Sequence, residues 1–139
     1  MEVVPYSAEL HLHTCFSFLE GASLPEELAQ RAATLGYRAL AITDHDGLHG
    51  AMEFAQACAA AGVQPIVGVE LTLSRGFVSR AGPVHLTLLA ERERGYANLC
   101  RLVTLAHRHT RSWEPGATHT PSEDPRPPSC GCTFVITNS

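Results

Sequence analysis

Tyr37-Arg38-Ala39-Leu40-Ala41-Ile42-Thr43-Asp44-His45-Asp46-Gly47 is the stretch on which the fold turns. Its first half, residues 37–43, is apolar and short enough for a buried strand. Its second half gathers acid, imidazole, acid and a turn glycine where a strand-to-helix loop begins. Helical patterns lie on both sides. Upstream, residues 23–35 place Leu28, Ala32 and Leu35 on one face. Ser23 is positioned to cap that helix with Glu26 completing a capping box, Pro25 fits its first turn, and Gly36 stops it. Downstream, residues 48–61 put Ala51, Phe54, Ala55 and Cys58 on one side, and Gly62 ends the run. Residues 64–73, rich in Val and Ile, read as the next strand.

Outward from this unit the alternation continues. Residues 8–14 read as a first strand and residues 85–90 as a fourth, joined to the third by a polar, Gly-containing connection over 75–83. Residues 96–107 form a third helical pattern, with Leu99, Leu102, Val103 and Ala106 on its buried face. Strands alternating with helices of this length imply an α/β fold with parallel pairing through crossovers, and leave open sheet and barrel both open. From Trp113 the order stops. Five of the nine prolines fall in that segment, among Gly, Ser and Thr. The division expected is a structured unit over 1–112 and a Pro-rich tail over 113–139, disordered or non-native. Within the tail, residues 133–137 are a short apolar stretch with no evident partner.

Composition narrows the function classes. The chain has 139 residues and a formal net charge of -4, so nothing marks it as a whole as a nucleic-acid-binding surface. No apolar run approaches the ~20 residues of a membrane span, and the N-terminus lacks the basic-then-apolar order of a signal peptide. Five scattered cysteines suit a reduced, cytoplasmic protein better than a disulfide scaffold. Eight histidines is many for this length, and several sit beside acids.

His11 and His13 are two apart in a strand, so both imidazoles share a face and could share a metal ion while Leu12 points into a core. Asp44 and His45 follow the second strand, where α/β folds bind ligands beyond the carboxyl ends of their strands. Asp44 could accept from and orient a liganding imidazole. Glu70 stands in an otherwise apolar strand, where a carboxylate needs a cation. Each motif alone also suits a half-buried polar pair, a capped turn or an exposed strand end. Together, three successive strand ends delivering His or acid suggest zinc, manganese or iron and metal-assisted phosphoester hydrolysis. His85, which opens its strand, and Glu20, in the loop after the first strand, are further candidates. His49 reads as a surface residue, and His107, His109 and His119 as helix-end or tail residues. Cys130-Gly131-Cys132 is short for a zinc knuckle.

The run Glu9-Leu10-His11-Leu12-His13-Thr14 resembles the first motif of the polymerase-and-histidinol-phosphatase (PHP) superfamily. Ile42-Thr43-Asp44-His45 resembles the second, and Gly68-Val69-Glu70 the acidic one that follows. Phe16 to Ala22 and His85 to Ala90, with Gly95-Tyr96 and Asn98-Leu99, are similar to bacterial DNA polymerase III alpha subunits, where Asp is more usual at the position of Glu20. Gly21-Ala22-Ser23 and Pro25-Glu26-Glu27-Leu28 look closest to the error-prone branch.

The resemblance covers residues 6–107 and implies part of a distorted (β/α)7 barrel with a metal cluster on its strand-end rim. It implies His11, His13, Glu20, His45, Glu70 and His85 as metal positions, with two or three divalent ions in a complete domain. Glu20 or Asp44 would tune the site or receive a proton. The parent would be a DNA-directed DNA polymerase, a nucleotidyltransferase of replication or repair. Its partners would be the remainder of the polymerase chain and, through it, DNA. The PHP part would support structure, act as a 3′–5′ exonuclease, or both. The later Asp-x-His motif of the family is absent, which together with the tail suggests a truncated or frame-shifted reading and a site short of ligands. The alternatives are a stand-alone PHP phosphoesterase of the histidinol-phosphatase kind and a catalytically dead PHP module.

Overall fold

A computed structural model of the chain describes residues 7–73, 84–107 and 132–135. Their elements run β1 (Ala8–Glu9), α1 (Pro25–Thr34), β2 (Ala39–Ile42), α2 (Ala51–Ala61), β3 (Gln64–Leu73), β4 (Val84–Ala90), α3 (Glu93–His107) and β5 (Cys132–Val135). The strands form one sheet in the order β1-β2-β3-β4-β5. β1, β2 and β3 pair in parallel through the crossovers α1 and α2. The result is an α/β half-barrel.

The local signals act much as expected. Gly36 and Gly62 follow α1 and α2 with φ of 79° and 72°, left-handed values that glycine adopts without a Cβ clash. The start of α1 lies one residue later than the capping pattern suggested. Leu24 is the N-cap, and Glu27, not Glu26, accepts its backbone N–H through Oε2 at 3.0 Å. Pro25 occupies the first turn and sets this register, while the carbonyl of Ser23 accepts from Cys15 N–H. Leu35, expected on the buried face, is exposed beyond the last turn.

One core lies between β2 and the pair α1–α2. Ala29, Ala32, Leu40, Ile42, Phe54, Cys58 and Val63 form it. Phe54 is fully buried, and such burial stabilises by about 1.5–3 kcal/mol per large side chain. A second cluster, Val69, Leu88 and Leu99, seats α3 on β3 and β4.

Parallel pairing does not extend to β4. β3 and β4 pair antiparallel, with Glu70 opposite Thr87 and Thr72 opposite His85. No helix signal lies between these strands, and strands joined without a crossover can pair antiparallel. β5 pairs antiparallel with β4, Phe134 opposite Leu88, so part of the apolar stretch at 133–137 does have a partner. The connection over 75–83 and the tail over 113–131 lie outside the described residues, as do His109, His119 and Cys130. No described helix is long and apolar enough to cross a membrane.

Period-two alternation then sorts the side chains of β3 and β4. Val69, Leu71, Leu86, Leu88 and Ala90 pack toward α3. Glu70, Thr72, His85 and Thr87 therefore share the opposite face.

Candidate metal centre

The backbone of residues 10–14 carries His11 and His13 past the end of β1. Thr43 holds it there: its N–H donates to Leu12 O at 2.8 Å, and its Oγ1 accepts from Leu12 N–H at 3.0 Å. The two-residue spacing works as in a strand, although β1 ends at Glu9. His13 Nε2 lies 3.0 Å from Glu70 Oε2, and His11 Nε2 contacts the same oxygen. Their rings meet edge to face, centroids 5.0 Å apart.

His45 follows β2 and forms an isolated parallel bridge with Glu70. Its ring lies 4.5 Å from that of His13 and 5.2 Å from that of His85, centroid to centroid. His85 is the second residue of β4, and antiparallel pairing puts the start of β4 beside the end of β3. Its Nδ1 is consequently 3.3 Å from Glu70 Oε1. Glu20 is brought in by a tight turn: Glu20 N–H and Gly21 N–H both donate to Ser17 O, and Leu19 takes φ of 72°. Its Oε2 lies 2.5 Å from His45 Nε2 and 3.7 Å from His13 Nδ1.

Ligand atoms within 4.8 Å of one another form three groups: His11, His13 and Glu70; His13, Glu20 and His45; His45, Glu70 and His85. Each pair of groups shares one residue, His13, Glu70 or His45, so the six side chains close into a ring. The side chain of Glu70 is 5% exposed and that of Glu20 is 53% exposed, one wall of the site being buried and the other open. Burial pushes the Glu70 carboxyl up. Hydrogen bonds from His11 and His13, with the charges of His11 and His45, outweigh it and hold the group below its ordinary 4.5.

The donor set fits a divalent cation. His45 Nε2 and His85 Nδ1 are buried without a hydrogen-bond partner among the described residues, although both approach carboxylate oxygens. Buried polar atoms rarely stay unpaired, and convergence without hydrogen-bond alignment is what ligands of a common ion show. Mixed imidazole and carboxylate donors suit zinc, manganese or iron.

Asp44 sits beneath this ring, 2% exposed. Its carboxylate accepts from Thr14 N–H at 2.7 Å, Thr14 Oγ1 at 2.7 Å and Ser17 Oγ at 2.6 Å. Ser17 Oγ in turn accepts from His45 N–H at 3.1 Å. The carboxylate thus ties the loop after His13 to the backbone of His45. Thr14 and Ser17 carried no signal in the sequence, since short hydroxyl side chains are common in loops. His49 is exposed, as read. His107 is at the end of α3, but its Nε2 lies 2.6 Å from Asp46 O beside the site, a contact nothing in the linear pattern suggested.

Six clustered His and Glu side chains on the rim of an α/β half-barrel define the class, and comparison with known proteins agrees. The PHP domain profile matches residues 9–124, and the chain belongs to that family. It is 51% identical over 108 residues to an error-prone DNA polymerase of Mycolicibacterium paratuberculosis, covering 75% of this chain and 10% of the relative. The error-prone DNA polymerase of Symbiobacterium thermophilum is 46% identical over 127 residues, 87% of this chain and 11% of the relative. The chain thus spans about a tenth of the length of these polymerases and is homologous to one part of them.

Among solved structures, it is similar to a protein of Bifidobacterium adolescentis described as a metal-dependent phosphoesterase. The TM-score is 0.54 at 27% identity, over 76% of this chain and 36% of that one. An amidohydrolase from Chromobacterium violaceum, with bound sulfate and no metal, matches with a TM-score of 0.58 at 32% identity, over 73% and 33%.

Proposed function

We propose that this chain is the metal-holding part of the PHP domain of an error-prone DNA polymerase, and that its site hydrolyses phosphoesters, the 3′-terminal bond of a DNA strand foremost. The observation that carries this reading is the closed ring of His11, His13, Glu20, His45, Glu70 and His85. The six side chains would hold divalent ions, which when bound would supply polarisation of phosphoryl oxygens and a water that loses its proton readily. His11, His13, His45 and His85 would serve as neutral ligands. Glu70 has its two oxygens turned to different imidazoles, Oε2 to His11 and His13 and Oε1 to His85, and would hold a divalent ion together with them. Glu20, on the open wall, would receive a proton from an incoming water and release it to solvent. Asp44 is committed to Thr14 and Ser17 and would orient His45 through Ser17.

The parent would extend DNA from deoxynucleoside triphosphates in the cytoplasm, with the rest of its chain and DNA as partners. Residues 1–112 would form the N-terminal part of the domain and residues 113–139 a Pro-rich tail, of which Cys132–Val135 adds a strand to the sheet. The phosphoesterase neighbour favours a second reading, a stand-alone monoesterase, but the higher identity to polymerases weighs against it.

The test is elemental analysis of the purified chain beside a His11→Ala, His13→Ala double variant, followed by hydrolysis of a 5′-labelled single-stranded oligonucleotide. Stoichiometric zinc, manganese or iron, lost in the variant, and stepwise shortening from the 3′ end are expected. A chain folded by circular dichroism that holds no metal would overturn the reading.

A further inference from the structure

Asp46 follows His45 and is held on three sides. Its N–H donates to Glu70 O at 2.8 Å, its Oδ1 accepts from Thr72 N–H at 2.9 Å, and its carbonyl accepts from His107 Nε2 at 2.6 Å. A carbonyl only accepts, so Nε2 of His107 carries the hydrogen. The first two contacts fix Asp46 to β3. The third comes from the last turn of α3, an element that supplies none of the six clustered side chains. Asp46 also has φ of 49°, a left-handed value. Asp tolerates that region better than most residues, yet the conformation is still costly and persists where its surroundings over-determine it. It sits one peptide from a ring in the cluster. A rotation there would swing His45 away from Glu20 and His85.

We infer that Asp46 and His107 are positioning residues for the metal centre: His107 latches the left-handed backbone at Asp46, and that backbone aims His45. Neither side chain is one of the clustered donors. The inference rests on the metal-binding reading above. It adds that α3, through one exposed histidine, sets the geometry of the rim. An incidental surface contact predicts something different, because removing it would disturb neither the loop nor the site. A general packing role also differs, because loss of packing would loosen the whole chain.

Two measurements on the full chain separate these cases, with His107→Ala and His107→Gln as variants. The first is amide hydrogen exchange without metal. His107→Ala should speed exchange at Asp46 and Glu70 by about tenfold or more and leave the core amides of α1 and α2 at wild-type rates. The second is Mn2+ titration by calorimetry. His107→Ala should weaken binding about 10- to 100-fold, the range typical of partners that orient a ligand. The Gln amide can donate to the same carbonyl, so His107→Gln should recover most of both losses. Wild-type exchange and affinity in His107→Ala would overturn the inference, as would faster exchange throughout the chain. Failure of the wild-type chain to bind Mn2+, Zn2+ and Fe2+ alike would sink the underlying metal reading instead, and the exchange result would still decide whether His107 holds the loop.

Discussion

Glu70 concentrates the chemistry of this molecule in one side chain. A carboxylate buried to 5% exposure costs several kcal/mol unless it is compensated, and here imidazoles approach from His11, His13 and His85. In the metal-free chain the hydrogen bonds and nearby charge hold its pKa below 4.5 against the opposing effect of burial. The sign of the linkage follows. A folded-state pKa below the unfolded one contributes stability above the unfolded value and loses it as pH falls through the folded value. Urea unfolding of the wild type and Glu70→Gln in EDTA should therefore show a stability gap that is full above pH 4.5 and closes below it. A gap independent of pH from 3 to 7 would mean that Glu70 acts through packing alone. The isolated position of this acid among apolar residues was legible in the sequence. Which groups answer it was not, since three of its partners lie 15 or more residues away along the chain.

At the scale of elements, the loop from Thr14 to Gly21 does what no regular element does and returns a carboxylate to the strand it has just left. Asp44 anchors it through Thr14 and Ser17, and Gly21 closes it. A Cβ on Gly21 would lie 2.0 Å from Thr14 O, a backbone atom that cannot step aside. Gly21→Ala should lower stability by about 1–3 kcal/mol, as overpacking does, and weaken metal binding by moving Glu20 off His45. Gly36→Ala is the control. Its backbone is left-handed but its surroundings are open, so it should strain the end of α1 and leave metal affinity unchanged. Calorimetric titration and denaturant unfolding of both variants check this. Equal metal affinity in wild type and Gly21→Ala would show that Glu20 reaches the site by another route. The position of Glu20 seven residues after His13 allowed a return to the site without requiring it, because the turn depends on contacts to Asp44 made across the sheet edge.

Across the whole molecule, the ring of six clustered side chains draws on the segment after β1, the loop after it, the end of β2, β3 and the start of β4. An ion bound there joins parts that no single local unit connects. Binding to the folded state alone stabilises by RT ln(1 + [L]/Kd), about 2.7 kcal/mol at a hundredfold excess over Kd. Saturating Mn2+ should raise the unfolding midpoint of the full chain accordingly and leave that of the His11→Ala, His13→Ala variant unmoved. An equal shift in both would place the ion elsewhere.

Local chemistry was enough to determine the order of elements from β1 to α3, the glycine stops after α1 and α2, the buried faces of α2 and α3, and the shared face of His11 and His13. These follow from periods of 3.6 and 2.0 and from backbone sterics, which act within a few residues. The antiparallel turn of β4, the return of Glu20, the anchoring of Asp44 and the reach of His107 to Asp46 were decided only in three dimensions. His85 shows why. The start of a strand lies at the far rim of a parallel sheet and at the near rim of an antiparallel one. Pairing direction is a property of two strands and their connection, and no residue carries it alone.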